Sequence, residues 1–162
     1  MSEIEIQFVK SRDSIGIHGV GPYDTTFKRT VCDMFKFIEE KNVVYEKFIG
    51  YFYDNPCEVA PDQCRSVASI LITKEQLAAL NLSGQEQVKH IVWEEGEYAV
   101  MLYKGPYENL NRQYQTIFEE IVKINRIPSE YPSVEVYLND CGVTPPSELL
   151  TQIYVKLEPI SK

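Results

Sequence analysis

The sequence predicts an α+β fold in which two β-β-α-β-β modules repeat about a pseudo-twofold axis, with a mainly antiparallel sheet, helices on one face and a concave ligand groove on the other. Three observations predict it. Apolar segments of strand length recur along the chain, each half holds one long segment with helical spacing, and landmarks of the first half return in the second. Gly21-Pro22-Tyr23 is answered by Gly105-Pro106-Tyr107 at an offset of 84 residues, and Gly50 to Pro56 by Glu135 to Cys141 at an offset of 85. Pro61 with Pro146 and Ile70 with Val155 keep the offset of 85, so one residue has been gained between helix and strand in the second copy. Duplication favours a cleft along the seam, a place where small ligands bind.

The elements follow in order. Residues 3–10 set Ile4, Ile6 and Phe8 against Glu3, Glu5 and Gln7, the alternation of a half-buried strand. Arg12-Asp13-Ser14 is the expected turn, and Ile15-Gly16-Ile17 begins the second strand. Asp24 or Thr25 is placed to cap a helix whose stripe is Phe27, Val31, Met34, Phe35 and Ile38 and whose end falls near Lys41-Asn42. Phe48 to Tyr53 reads as a strand stopped by Asp54-Asn55-Pro56, Pro61 as a loop or single helical turn, and Ser66 to Ile72 as the last strand of the module. Lys74 to Leu80 fits a short helix, broken by Ser83-Gly84. The second module repeats the order: a strand from Val88 to Trp93, a turn at Glu95-Gly96, a partner strand from Glu97 to Tyr103, and a helix from Asn109 to about Asn125 with Leu110, Tyr114, Ile117, Phe118 and Ile121 on one face. Val134 to Leu138 and Thr151 to Leu157 close it. The organisation is a single domain, 1–162, of half-repeats 1–73 and 87–158 joined by a linker, 74–86.

Composition narrows the function. A formal net charge of −8 argues against a sequence-independent grip on phosphate backbones, so direct nucleic-acid binding is not expected. No apolar run approaches the ~20 residues that span a bilayer, and Met1-Ser2-Glu3-Ile4-Glu5-Ile6 lacks the basic and apolar regions of a signal peptide. A cytoplasmic protein without membrane contact is expected. Cys32, Cys57, Cys64 and Cys141 form no C-x-x-C pair, which leaves zinc and thioredoxin-like chemistry unsupported. Cys57 and Cys141 fall in equivalent loops, and free thiols in a reducing compartment are the expectation. His18 and His90 lack metal-spaced partners, and no catalytic triad follows from spacing. Neither a cofactor nor a metal is expected.

The candidate site is an acid among rings. Glu135 replaces Gly50 of the first copy and lies in an apolar strand. Alternation puts Val134, Val136 and Leu138 on one face and Glu135 with Tyr137 on the other. With the valines assigned to the helix-covered face, Glu135 and Tyr137 point into the groove. A carboxylate there costs several kcal/mol of hydration unless it is hydrogen-bonded by tyrosine hydroxyls or meets a cation, and its pKa should rise. A rim glutamate at a strand end is the plainer alternative. Tyrosine is used 11 times in 162 residues, with Tyr51, Tyr53, Tyr98, Tyr103, Tyr107, Tyr137 and Tyr154 on or beside expected strands. Phe52 is the counterpart of Tyr137, and Tyr154 shares a face with Gln152 and Lys156. Trp93 suits either a groove wall or the cover of a sheet edge beside Glu94-Glu95. The ligand-binding candidates are therefore Glu135, Tyr137, Phe52, Tyr154, Trp93 and Gly50. The Gly-Pro-Tyr repeats need only a structural account, a bend from strand into helix.

The chain resembles the GyrI-like family, the effector-binding domain of AraC-type and MerR-type transcription regulators. The resemblance is carried by Glu97-Tyr98-Ala99-Val100, Gly105-Pro106-Tyr107-Glu108-Asn109-Leu110, Glu135-Val136-Tyr137-Leu138-Asn139-Asp140 and Thr144-Pro145-Pro146-Ser147-Glu148-Leu149, with Gly50 to Asp54 and Pro61 to Arg65 in the first half. It implies duplicated modules of the SHS2 type and a central groove for bulky, often aromatic and cationic, small molecules, with a glutamate at position 135 as charge partner. It also implies a stand-alone member, since the first strand begins within a few residues of Met1. Stand-alone members include a gyrase-inhibitory protein and hydrolases of cyclopropane-bearing toxins. Three functions therefore stay open: a binding module for hydrophobic cations, a hydrolase with Glu135 as general base, and an inhibitor acting on a protein partner. Binding is preferred, because no second catalytic residue can be named.

Overall fold

The computed structural model describes residues 4–83, 87–140 and 142–160, so Cys141 and part of the linker lie outside the described residues. In chain order the elements are β1 (Glu5–Val9), β2 (Arg12–Val20), α1 (Tyr23–Lys41), β3 (Phe48–Phe52), β4 (Arg65–Leu71), α2 (Lys74–Leu80), β5 (Val88–Trp93), β6 (Gly96–Lys104), α3 (Leu110–Lys123), β7 (Ser133–Tyr137) and β8 (Leu150–Lys156). They form two compact units, Ser11–Glu94 and Met1–Lys10 with Glu95–Lys162. Strand order is β3-β4-β2-β5 in the first and β7-β8-β6-β1 in the second. Every pairing within them is antiparallel.

The lead strands are exchanged relative to the sequence reading. Alternation suggests hairpins, β1 on β2 and β5 on β6. Instead β1 pairs with β6, Ile6 opposite Ala99, and β5 pairs with β2, Val88 opposite Ile17. The connections explain this. Two-residue hairpins need central residues at positive φ, which glycine or asparagine supplies. Lys10-Ser11 and Glu94-Glu95 have neither, and none of these four residues takes a positive φ. The chain therefore runs on extended, and Arg12 to Ser14 belongs to β2 rather than to a turn.

The equivalence of the copies reaches single hydrogen bonds. Gly21 and Gly105 both adopt φ 147°, a conformation that L side chains resist, and each donates its N–H over 2.8 Å, to the carbonyls of Cys64 and Leu149. Asp54 Oδ2 accepts from the Arg65 N–H at 2.8 Å, and Asn139 Oδ1 accepts from the Leu150 N–H at 2.9 Å. The next residues close matching turns, Asn55 Oδ1 holding the Cys57 N–H and Asp140 Oδ1 the Gly142 N–H. Single 3-10 turns follow at Pro61–Gln63 and Pro146–Glu148.

Each helix covers one face of its sheet. Met34 of α1 packs with Ile15, Ile17, Ala68 and Ile70, joined by Phe27, Val31 and Ile38. Ile117 and Ile121 of α3 pack with Ala99, Met101, Ile153 and Val155. Phe35 and Phe118, expected in the apolar stripes, are exposed, and Phe35 stacks on Phe48 at 5.1 Å instead. The helix starts differ too. Pro22 stands at the N-cap of α1, which has no side-chain cap hydrogen bond, and Asp24 and Thr25 lie inside the helix. A 3-10 turn at Tyr107–Asn109 precedes α3. The opposite sheet faces are also buried at their centres, with Ile49, Tyr51 and Val67 in one unit and Tyr98, Val100, Val134 and Val136 in the other. Among the described residues no helix is long and apolar enough to cross a membrane.

Candidate functional site

Register decides where Glu135 points. It lies opposite Ile153, and Ile153 packs against Ile117 and Ile121. Directly paired residues of antiparallel strands share a face. Glu135 and Tyr137 therefore lie beneath α3, and Val134 and Val136 occupy the other face. This corrects the expectation that the valines sit under the helix. That expectation assumed one dry face per sheet, whereas both faces are buried here, which frees the helix side to hold the acid.

Glu135 is 5% exposed, and its carboxyl is held by two tyrosines. Tyr114, one helical turn into α3, donates its hydroxyl to Oε2 at 2.6 Å. Tyr137, two residues along β7 and so on the same face, donates to Oε1 at 2.8 Å. Among the described residues no lysine, arginine or histidine forms an ion pair with it. Burial raises its pKa, and the two tyrosine hydrogen bonds oppose that rise. Burial likewise lifts the Tyr137 phenol well above its usual range, with the adjacent Glu135 charge adding to it. Tyr107 meets Tyr137 edge to face at 5.6 Å, and Tyr103 donates its hydroxyl to the Pro106 carbonyl at 2.9 Å. The result is one ionisable acid enclosed by phenol rings, an arrangement suited to hold a positive charge or a proton.

The other candidates lie elsewhere. Gly50 and Phe52 face α1 in the first unit, where the Phe27 ring closes on Phe52 at 4.9 Å and Tyr23 meets it at 5.1 Å. Tyr154 pairs with Val134, on the face opposite Glu135, and touches Tyr98 at 6.1 Å. Trp93 is buried opposite Arg12 in the first unit. Within the second unit Glu135 and Tyr137 come together, and within the first Gly50 and Phe52 do. Sequence reasoning placed Tyr114 in the apolar stripe of the helix and gave Tyr107 a structural role. The available signal was that Tyr114 bears the one hydroxyl in that stripe, on the face that must meet the acid. His90 approaches Asp13 at 2.8 Å. Among the described residues no group of His, Cys, Asp or Glu is arranged to hold a metal ion.

A family model described as the GyrI-like small molecule binding domain matches residues 2–158 of the chain. The chain belongs to the GyrI-like family. Its relatives include a DNA gyrase inhibitor from Citrobacter rodentium, 25% identical over 159 residues and covering 98% of each chain. GyrI-like folds among solved structures include the EcmrR C-terminal domain, with a TM-score of 0.77 at 10% identity over 99% of both chains. Another is SAV2435 bound to tetraphenylphosphonium, with a TM-score of 0.61 at 11% identity over 96% of this chain and 94% of that one. At such identities these structures establish the fold. As a GyrI-like domain the chain is a small-molecule-binding module.

Proposed function

We propose that this GyrI-like domain binds amphipathic cationic aromatic molecules, with Glu135 as the counter-charge and the rings of Tyr107, Tyr114 and Tyr137 as walls. The observation that carries the reading is a buried carboxyl held by two phenols and by no cationic side chain among the described residues. Tyrosine hydroxyls satisfy both oxygens but leave the charge uncompensated, and a hydrophobic cation supplies what is missing. Its rings would lie against the tyrosines, whose faces attract positive charge. SAV2435, a structural neighbour, is bound to tetraphenylphosphonium, which makes that cation a suitable probe. Glu135→Gln keeps the shape and removes the charge. Titration of tetraphenylphosphonium should show a loss of about 1.5–3 kcal/mol, the range for a charge-assisted contact. Equal affinity of variant and wild type would remove Glu135 from the site.

A second reading rests on the gyrase-inhibitor relatives, which match the chain almost end to end. It predicts a protein partner, and inhibition of gyrase supercoiling by the purified protein tests it.

A further inference from the structure

Thr151 stands beside the acid with a hydroxyl that makes no hydrogen bond among the described residues. It lies on β8 between Tyr137 of β7 and Tyr103 of β6, opposite both in register, and so on the face that α3 covers. It is a diagonal neighbour of Glu135, whose direct partner is Ile153. Diagonal neighbours lie ~7–8 Å apart, within the span of one aromatic ring system. The residue is 0% exposed, and its Oγ1 makes no hydrogen bond among the described residues. Such a group costs free energy as it stands, because it has left water without replacement.

The other copy supplies a comparison. Its counterpart at an offset of 85 is Ser66, also buried and also without a hydrogen bond among the described residues. Ser66 lies opposite Phe52, beside Gly50. The residues of β3 and β4 on this face are Phe48, Gly50, Phe52, Ser66, Ala68 and Ile70, none of them an acid, and Phe27 fills the space over Gly50. In the second copy the spare hydroxyl lies next to a carboxyl and a phenol, Glu135 and Tyr137.

We infer that Thr151 is a specificity-determining residue of the Glu135 site and selects cations that carry a hydrogen-bonding group beside the charge. This deepens the proposed function and rests on it: Glu135 meets the charge, and Thr151 meets a hydroxyl or amino substituent on the ring. The probes are tetraphenylphosphonium and its analogues with one phenyl replaced by 2-, 3- or 4-hydroxyphenyl. One isomer should bind wild type about 3- to 10-fold tighter than the parent, the value of one added neutral hydrogen bond. Thr151→Val, which keeps the shape, should erase that preference without weakening the parent, and Thr151→Ser should retain it. Ser66→Ala should leave it untouched. The inference is overturned if no isomer is preferred by wild type, or if the preference survives in Thr151→Val. Glu135→Gln judges the underlying reading separately, since it should weaken parent and analogues alike.

Discussion

Glu135 carries two phenol hydroxyls, and this makes its proton the adjustable part of the site. Burial sets its pKa above the ordinary carboxyl value, with the hydrogen bonds pulling the other way. In the unfolded chain the same group ionises at its ordinary pKa. Between the two values the folded protein therefore binds a proton that the unfolded chain has released. Stability is then greatest on the acid side of that window and falls as pH rises through the raised pKa. Affinity for a cation runs the opposite way, because the ligand needs the carboxylate. Tetraphenylphosphonium binding should strengthen in wild type as pH rises through the raised pKa of Glu135 and stay flat in Glu135→Gln. Calorimetric titration across that window is the check; parallel slopes in the two proteins would mean that another group titrates. The sequence disclosed the acid and Tyr137 because both lie on one strand, where alternation speaks. It did not disclose Tyr114, whose role depends on which face of β7 the helix covers. Two valines beside one glutamate cannot decide that question when both faces are dry.

At the scale of elements, the copies differ in how a helix meets its sheet. Gly50 occupies the place of Glu135, and a Cβ on it would lie 2.8 Å from atoms of both Phe27 and Phe52. The helix-borne ring fills the space that the acid takes in the other copy. Gly50→Ala should therefore destabilise the protein by about 1–3 kcal/mol through overpacking, read by urea denaturation. No change would show that Phe27 moves aside freely. The helices were legible in order and extent, since their stripes persist over several turns. The strands were legible in position but not in partnership. Alternation reports a face and says nothing about a neighbour, and the pairing of β1 and β5 is decided by connections that cannot turn tightly.

That exchange of lead strands bears on the whole molecule. The repeat in the sequence suggests cutting the chain at residue 73, but a fragment 1–73 would hold β1 without β6 and β2 without β5. Its β2 would offer an open edge where Arg12 to Ile17 now pair with Val88 to Trp93. A fragment 11–94 instead keeps β3 on β4, β4 on β2 and β2 on β5, with the packing of α1 and the Gly21–Cys64 bond intact. Contacts are dense within this span, which forms one of the two compact units. Fragment 11–94 should therefore give dispersed amide resonances and a cooperative thermal transition, and fragment 1–73 should give neither. Cooperative melting of 1–73 alone would mean that β1 can return to β2 as a hairpin, and that the exchanged pairing is a choice made by the full chain rather than one imposed by Lys10-Ser11.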